Sequence, residues 1–243
     1  MNAANFCDRR SLLKRTVFLL ALFCLAVFSV DGWAGERLPF GIAKIIFEFN
    51  STGQDLGVQV SLDGEPWNEV KIVNPKGRTI FEVEGKGSLK KFGLTELFFE
   101  SHEPSILEVP VGDIFALFPA GEYKFFGKTV EGDNLVGTAT LTHKIPAGPV
   151  IVSPAPGAVL DRNNTVIAWT PGNSAAGIQI AGYQVIVDGG NPARRLDVIL
   201  PATAANIKVP PEFLESSMPY KFEVLAIEIG GNQSITEGEF STN

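Results

Sequence analysis

Apolar and polar residues alternate with period two along most of this chain, the pattern of strands that bury one face. Ile45, Phe47 and Phe49 alternate with Ile46, Glu48 and Asn50, and Val58, Val60 and Leu62 with Gln59, Ser61 and Asp63. Phe81 and Val83 alternate with Glu82 and Glu84. The rhythm returns at Gly121-Glu122-Tyr123-Lys124-Phe125 and at Leu135, Ala139 and Leu141. Asp63-Gly64, Asn74-Pro75-Lys76-Gly77 and Glu131-Gly132-Asp133-Asn134 punctuate these runs as turns. Residues 88–118 break the rhythm: Leu89, Phe92, Leu94, Leu97 and Phe98 are unevenly spaced, and Val111 to Phe118 suits one or two helical turns. Short strands between frequent turns predict a mainly β chain of two β-sandwich domains in tandem, the first with a short helical or irregular insertion.

The second half is the more regular. Val150-Ile151-Val152 is stopped by Ser153-Pro154-Ala155-Pro156-Gly157, and Thr165 to Pro171 alternates around Ile167 and Trp169. Tyr183, Val185 and Val187 share one face of a further strand, Leu196 to Leu200 and Ala205 to Val209 supply two more, and Tyr220, Phe222, Val224 and Ala226 point one way. Gly230-Gly231-Asn232 offers residues that tolerate positive φ, where the last two strands must reverse before Ile235 to Thr242 closes the sheet.

With its tryptophan, its tyrosine at a strand start and its Gly-Asn turn in this order, residues 148–243 resemble a fibronectin type III domain. The resemblance implies a β-sandwich with Trp169, Tyr183 and Tyr220 in its core, Tyr220 serving as the tyrosine corner that ties a loop back to its strand. The turn before the last strand holds no Arg-Gly-Asp, so integrin-type binding is not implied. Residues 35–147 form a separate β-rich domain whose closing hairpin is immunoglobulin-like in a generic way. Ile145-Pro146-Ala147-Gly148-Pro149 reads as a short, stiff linker, because each proline fixes its own φ and restrains the residue before it.

Residues 1–34 read as a secretory signal peptide. Arg9, Arg10, Lys14 and Arg15 precede the apolar run Thr16 to Val30, and Gly32-Trp33-Ala34 supplies a cleavage site. The paired arginines also resemble a twin-arginine motif, so general secretory and twin-arginine export both stay open. The run is short for a permanent anchor, and an uncleaved signal is the one route to a membrane. Both cysteines, Cys7 and Cys24, fall inside this segment, leaving no thiol for disulfides or metal in the rest. That pattern suits a bacterial envelope protein, periplasmic or extracellular, more than a disulfide-dense ectodomain. Removing residues 1–34 takes two of the 27 acids and four of the 20 bases, so net charge moves from −7 to −9. Such a surface repels phosphate backbones and excludes nucleic acid as the expected partner.

Candidate chemistry is sparse. Glu96, Glu100, His102 and Glu103 lie close in sequence, but no ligand spacing fixes a metal site. Asp55, Asp63 and Glu65 lack a calcium-loop pattern. No nucleophile elbow or phosphate-cradling loop is present. The expectation is therefore a non-catalytic exported scaffold or binding module, without cofactor or metal, whose loops and sheet edges contact a protein or a glycan. The alternative is a carbohydrate-binding or carbohydrate-processing protein. There Trp67, beside a turn, supplies a stacking surface, unless it packs down over the hairpin as apolar burial would have it, and the Glu96–Glu103 carboxylates supply acid–base chemistry.

Overall fold

A computed structural model describes residues 35–243; the signal-peptide reading of residues 1–34 lies outside the described residues. In the first half run β1 (Arg37–Pro39), β2 (Ile42–Asn50), β3 (Asp55–Val73) and β4 (Thr79–Glu84). A short helix α1 (Gly87–Phe92), β5 (Leu94–Glu100), α2 (Val111–Leu117), β6 (Gly121–Thr129) and β7 (Asn134–Leu141) follow. The second half holds β8 (Val150–Ser153), β9 (Ala158–Leu160), β10 (Val166–Thr170), β11 (Ile180–Gly189) and β12 (Arg194–Pro201). It closes with β13 (Asn206–Lys208), β14 (Pro219–Glu228) and β15 (Gln233–Thr242). The chain is mainly β, and the helical turns expected near Val111 are α2.

Two sequence expectations in the first half fail, each for its own physical reason. Asp63-Gly64 is not a turn: β3 runs through it for 19 residues. Its first part pairs with β2 and β5, and its second part with β4 and β6. The register shifts between Asp63 and Trp67 against β5, and between Trp67 and Glu69 against β6. Gly64 and Pro66 mark this bulge, where a proline without an N–H is tolerated and the strand can bend. By bending there, β3 passes from one layer of the sandwich to the other. Residues 94–100 form strand β5, with Leu97 and Phe99 facing inward opposite Leu62 and Val60. Phe98 on its outer face stays exposed, which is why the spacing looked uneven.

The layers enclose a core of Phe47, Val60, Leu62, Ile72, Phe125 and Leu135, among others. Phe40 caps one end; a Cβ on Gly127 would sit 3.0 Å from its ring, so that close approach requires glycine. Tyr123, at the start of β6, is fully buried and donates its hydroxyl to the Pro119 carbonyl at 3.1 Å.

In the second half β8, β10 and β13 form a three-stranded layer facing β15, β14, β11 and β12. Trp169, Tyr183 and Tyr220 are buried between them. The Tyr220 hydroxyl accepts from the Glu215 backbone N–H at 2.7 Å, the tyrosine-corner contact, worth about 1 kcal/mol as a net hydrogen bond. Three strands against four, with this corner, make the second half a fibronectin type III-like sandwich. Tyr123 places the same device in the first half, at the head of its closing hairpin β6–β7.

The halves are joined by more than the linker. β15 pairs in parallel with β2, Gln233 opposite Glu48 and Ile235 opposite Asn50, so one sheet runs through both halves. Around this seam Ser51 N donates to Ile235 O at 2.8 Å, and Thr236 Oγ1 donates to Pro149 O at 2.7 Å. Asn232 is the pin. Its Oδ1 accepts from Phe47 N at 2.9 Å, and its Nδ2 donates to the Thr142 and Lys144 carbonyls at 2.9 and 3.1 Å. Gly231 before it has φ 97°, a conformation glycine adopts without strain. Residues 37–243 form one compact unit.

Candidate functional site

The structure removes the stacking candidate. Trp67 is 0% exposed, packed in the first core at the β3 bend. It leaves no face for a sugar ring. Apolar burial explains its place beside Pro66 and Gly64 better than ligand contact does. Asp55 and Asp63 stand at opposite ends of the first part of β3, opposite Asn50 and Ile42, so they do not gather with Glu65 around an ion. His143 is structural: its ring stacks on Phe115 with centroids 3.9 Å apart, and Nε2 lies 2.9 Å from the Phe118 carbonyl oxygen.

The acidic run at residues 96–103 is divided by the strand end. Glu96 and Glu100 point outward from β5 opposite Asp63 and Gln59, and His102 is exposed beyond it. Glu100 and Glu103 instead meet Glu48 from β2; one carboxylate oxygen of each lies within 4.8 Å of the others. Glu48 is only 7% exposed. Its Oε2 accepts from Gln233 Nε2 across the seam, and Gln59 Nε2 donates to Glu100 Oε1 at 3.0 Å. One oxygen each of Asp55 and Glu103 is buried without a hydrogen-bond partner. Three such carboxylates are the oxygen set that a hard divalent cation takes.

Crowding and burial disfavour the ionised forms here. Burial, with the neighbouring Glu100 and Glu223 charges, pushes the Glu48 carboxyl up to about 7 against the hydrogen bond from Gln233. Burial, with Glu100, Glu48 and Asp55, pushes Glu103 up to about 8. Asp55 is raised by burial and by Glu237 and Glu100. Glu223 is raised by burial and by Glu237, against the opposing pull of Arg195.

These influences cross the seam because the seam is a single face. Direct partners in a ladder point the same way, so Glu48 and Gln233 share a side. That side carries Gln59 and Glu100 in one direction, and Ile235, Glu237, Leu225, Glu223, Gln184 and Ile186 in the other. The strand order is β5-β3-β2-β15-β14-β11-β12. With strands about 4.8 Å apart, seven of them reach across roughly 29 Å. Ile186, Leu225 and Ile235 form a small apolar floor beneath the charged heads, and Ile199 on β12 is 66% exposed at the far edge. Glu48 escaped sequence reasoning because nothing local links it to Glu103; only the alternation that sets it on the outer face of β2 was visible. Local spacing groups Asp55 with Asp63 and Glu65 instead of with the acids it meets.

The fold class is thus immunoglobulin- and fibronectin type III-like β-sandwich. The chain is similar to a two-domain fibronectin type III segment of chicken tenascin, at 12% identity and TM-score 0.31, over 82% of this chain and 97% of that one. It is similar to the FN1–FN3 domains of chicken CNTN1, at 13% identity and TM-score 0.31, over 86% of this chain and 68% of that one. The BSP domain of a biofilm-associated protein matches at 17% identity and TM-score 0.26, over 84% of this chain and 30% of that one. No family model matches, and the search of curated proteins finds no match.

Proposed function

We propose that this chain is an exported, non-catalytic binding module that docks a protein partner on the outer face of its seven-stranded sheet. The observation that carries the reading is the seam: β15 continues the sheet from β2, so both halves contribute to one face roughly 29 Å wide. A patch of that breadth suits a standard interface, which takes about 800 Å² from each partner. The linker, with its carbonyls accepting from β15 hydroxyls, and the Asn232 pin hold the halves at a fixed angle. Binding then costs little ordering. The acids support a binding role over a hydrolytic one. Glycosidase carboxyls face each other across the scissile bond, whereas Glu48, Glu100 and Glu103 converge on one point of a sheet surface. With Trp67 buried, the glycan-stacking alternative has no platform. Among the described residues no helix is long and apolar enough to cross a membrane, and export through residues 1–34 is part of the proposal.

The lack of cysteine beyond Cys24 makes the face easy to block. A polyethylene glycol chain attached to Ile199→Cys should abolish capture of the partner from native envelope extract. The same chain on Asn206→Cys, exposed on the three-stranded layer, should leave capture intact. Equal capture by both conjugates would sink the docking face.

A further inference from the structure

We infer that the partner presents a cationic protein segment, rich in lysine and arginine, to this face. The inference rests on the docking face proposed above and adds the chemistry of what binds there. Glu100, Glu48 and Asp55 line the first-half side of the seam, and Glu237, Glu223 and Asp197 continue the band to β12. The bases among them are few. Arg195 is already engaged, donating to both carboxylate oxygens of Asp188 at 2.8 and 2.6 Å. Lys44 lies beside Glu48, leaving Lys221 as the remaining cation along the second half of the band.

Like charges placed side by side on neighbouring strands destabilise a sheet, and here Glu223 stands directly opposite Glu237, with Glu100, Asp55, Glu48 and Asp197 on the flanking strands of the same face. A partner supplying positive charge along the same line would relieve that repulsion on binding and gain speed of encounter. The width of the band selects the class of partner. A single divalent ion reaches Glu48, Glu100 and Glu103 but leaves Glu223, Glu237 and Asp197 unneutralised across the seam. A neutral sugar brings no charge, and phosphate surfaces are repelled. Lysine and arginine stems can also lie on Ile199, exposed at the far edge, while their heads reach the carboxylates along the face.

The test is fluorescence anisotropy of labelled decalysine with the full chain. Screening lengths fall from roughly 30 Å at 0.01 M salt to about 3 Å at 1 M, so binding should appear at the low salt and vanish at the high. The triple substitution Glu100→Gln, Glu223→Gln, Glu237→Gln should weaken it about tenfold or more. Glu82→Gln, Glu122→Gln, Glu212→Gln remove the same charge from exposed sites off the face and should bind like the parent. Equal weakening by the two triples would mean net charge alone governs binding, and would overturn the inference, as would no effect from the first triple. If the Ile199 conjugate blocks native capture while decalysine ignores the face acids, the docking face stands and the cationic partner falls. If decalysine obeys the face acids while native capture ignores the conjugate, the docking face itself falls and takes the inference with it.

Discussion

Trp67→Ala is expected to lower the unfolding free energy by about 3–5 kcal/mol, the range for removing a large aromatic side chain from a close-packed core. The indole fills the point where β3 bends between layers, so its loss opens a cavity beneath both. Trp67→Phe should behave differently. The indole N–H is buried without a hydrogen-bond partner, and the phenyl ring removes that orphan donor while keeping most of the apolar volume. Its cost should stay within about 1.5 kcal/mol, as for a near volume-conserving swap. Urea denaturation followed by circular dichroism measures both. If Trp67→Ala unfolds at the parent midpoint, the residue is not a core element and its exposure must be reconsidered.

The second large effect is a pH dependence centred on Glu48. Its folded carboxyl is raised to about 7 from an ordinary value of 4.5, so the folded state holds a proton that the unfolded chain has released. Stability from this group is therefore fully present below about pH 4.5 and lost as pH rises through 7. Glu103, raised to about 8, extends the loss toward pH 8. For Glu48 the swing is on the order of 3 kcal/mol between pH 5 and 8. Glu48→Gln should flatten it, because the amide oxygen still accepts from Gln233 and no longer ionises. The variant should be more stable than the parent at pH 8 and no more stable at pH 5. Parallel pH profiles for parent and variant would show that Glu48 is ionised in the fold throughout this range.

Carboxylates kept where they oppose folding are the mark of a surface shaped by something other than stability. Glu48 illustrates it: nine-tenths buried on the outer face of a strand, it depends on a glutamine from the other half of the chain. A leucine at that position would cost less and bind nothing charged.

Much of the fold was legible because alternation with period two depends only on which face meets the core. Trp169, Tyr183 and Tyr220 sit where the order of strands places them, and each is buried. The bend of β3 was not legible, since Gly64 and Pro66 are equally at home in a turn and in a bulge, and only the long-range partners of Trp67 decide between the two. The second tyrosine corner carried a faint signal, Tyr123 standing at the head of a closing hairpin as Tyr220 does. The acidic face showed only its local part, Glu100 and Glu103, and nothing of its continuation across the seam. Glu48 and Gln233 are 185 residues apart in sequence, and their meeting follows from β15 pairing with β2, which no local spacing encodes.

Placing a photo-crosslinker by cysteine chemistry at Gln184→Cys, on the outer face between Asp197 and Leu225, tests the central claim most directly. In native envelope extract this position should yield one dominant protein adduct, and Asn206→Cys on the opposite layer should yield none above background. Adducts confined to residue 206, or equal from both, would show that the partner lies elsewhere.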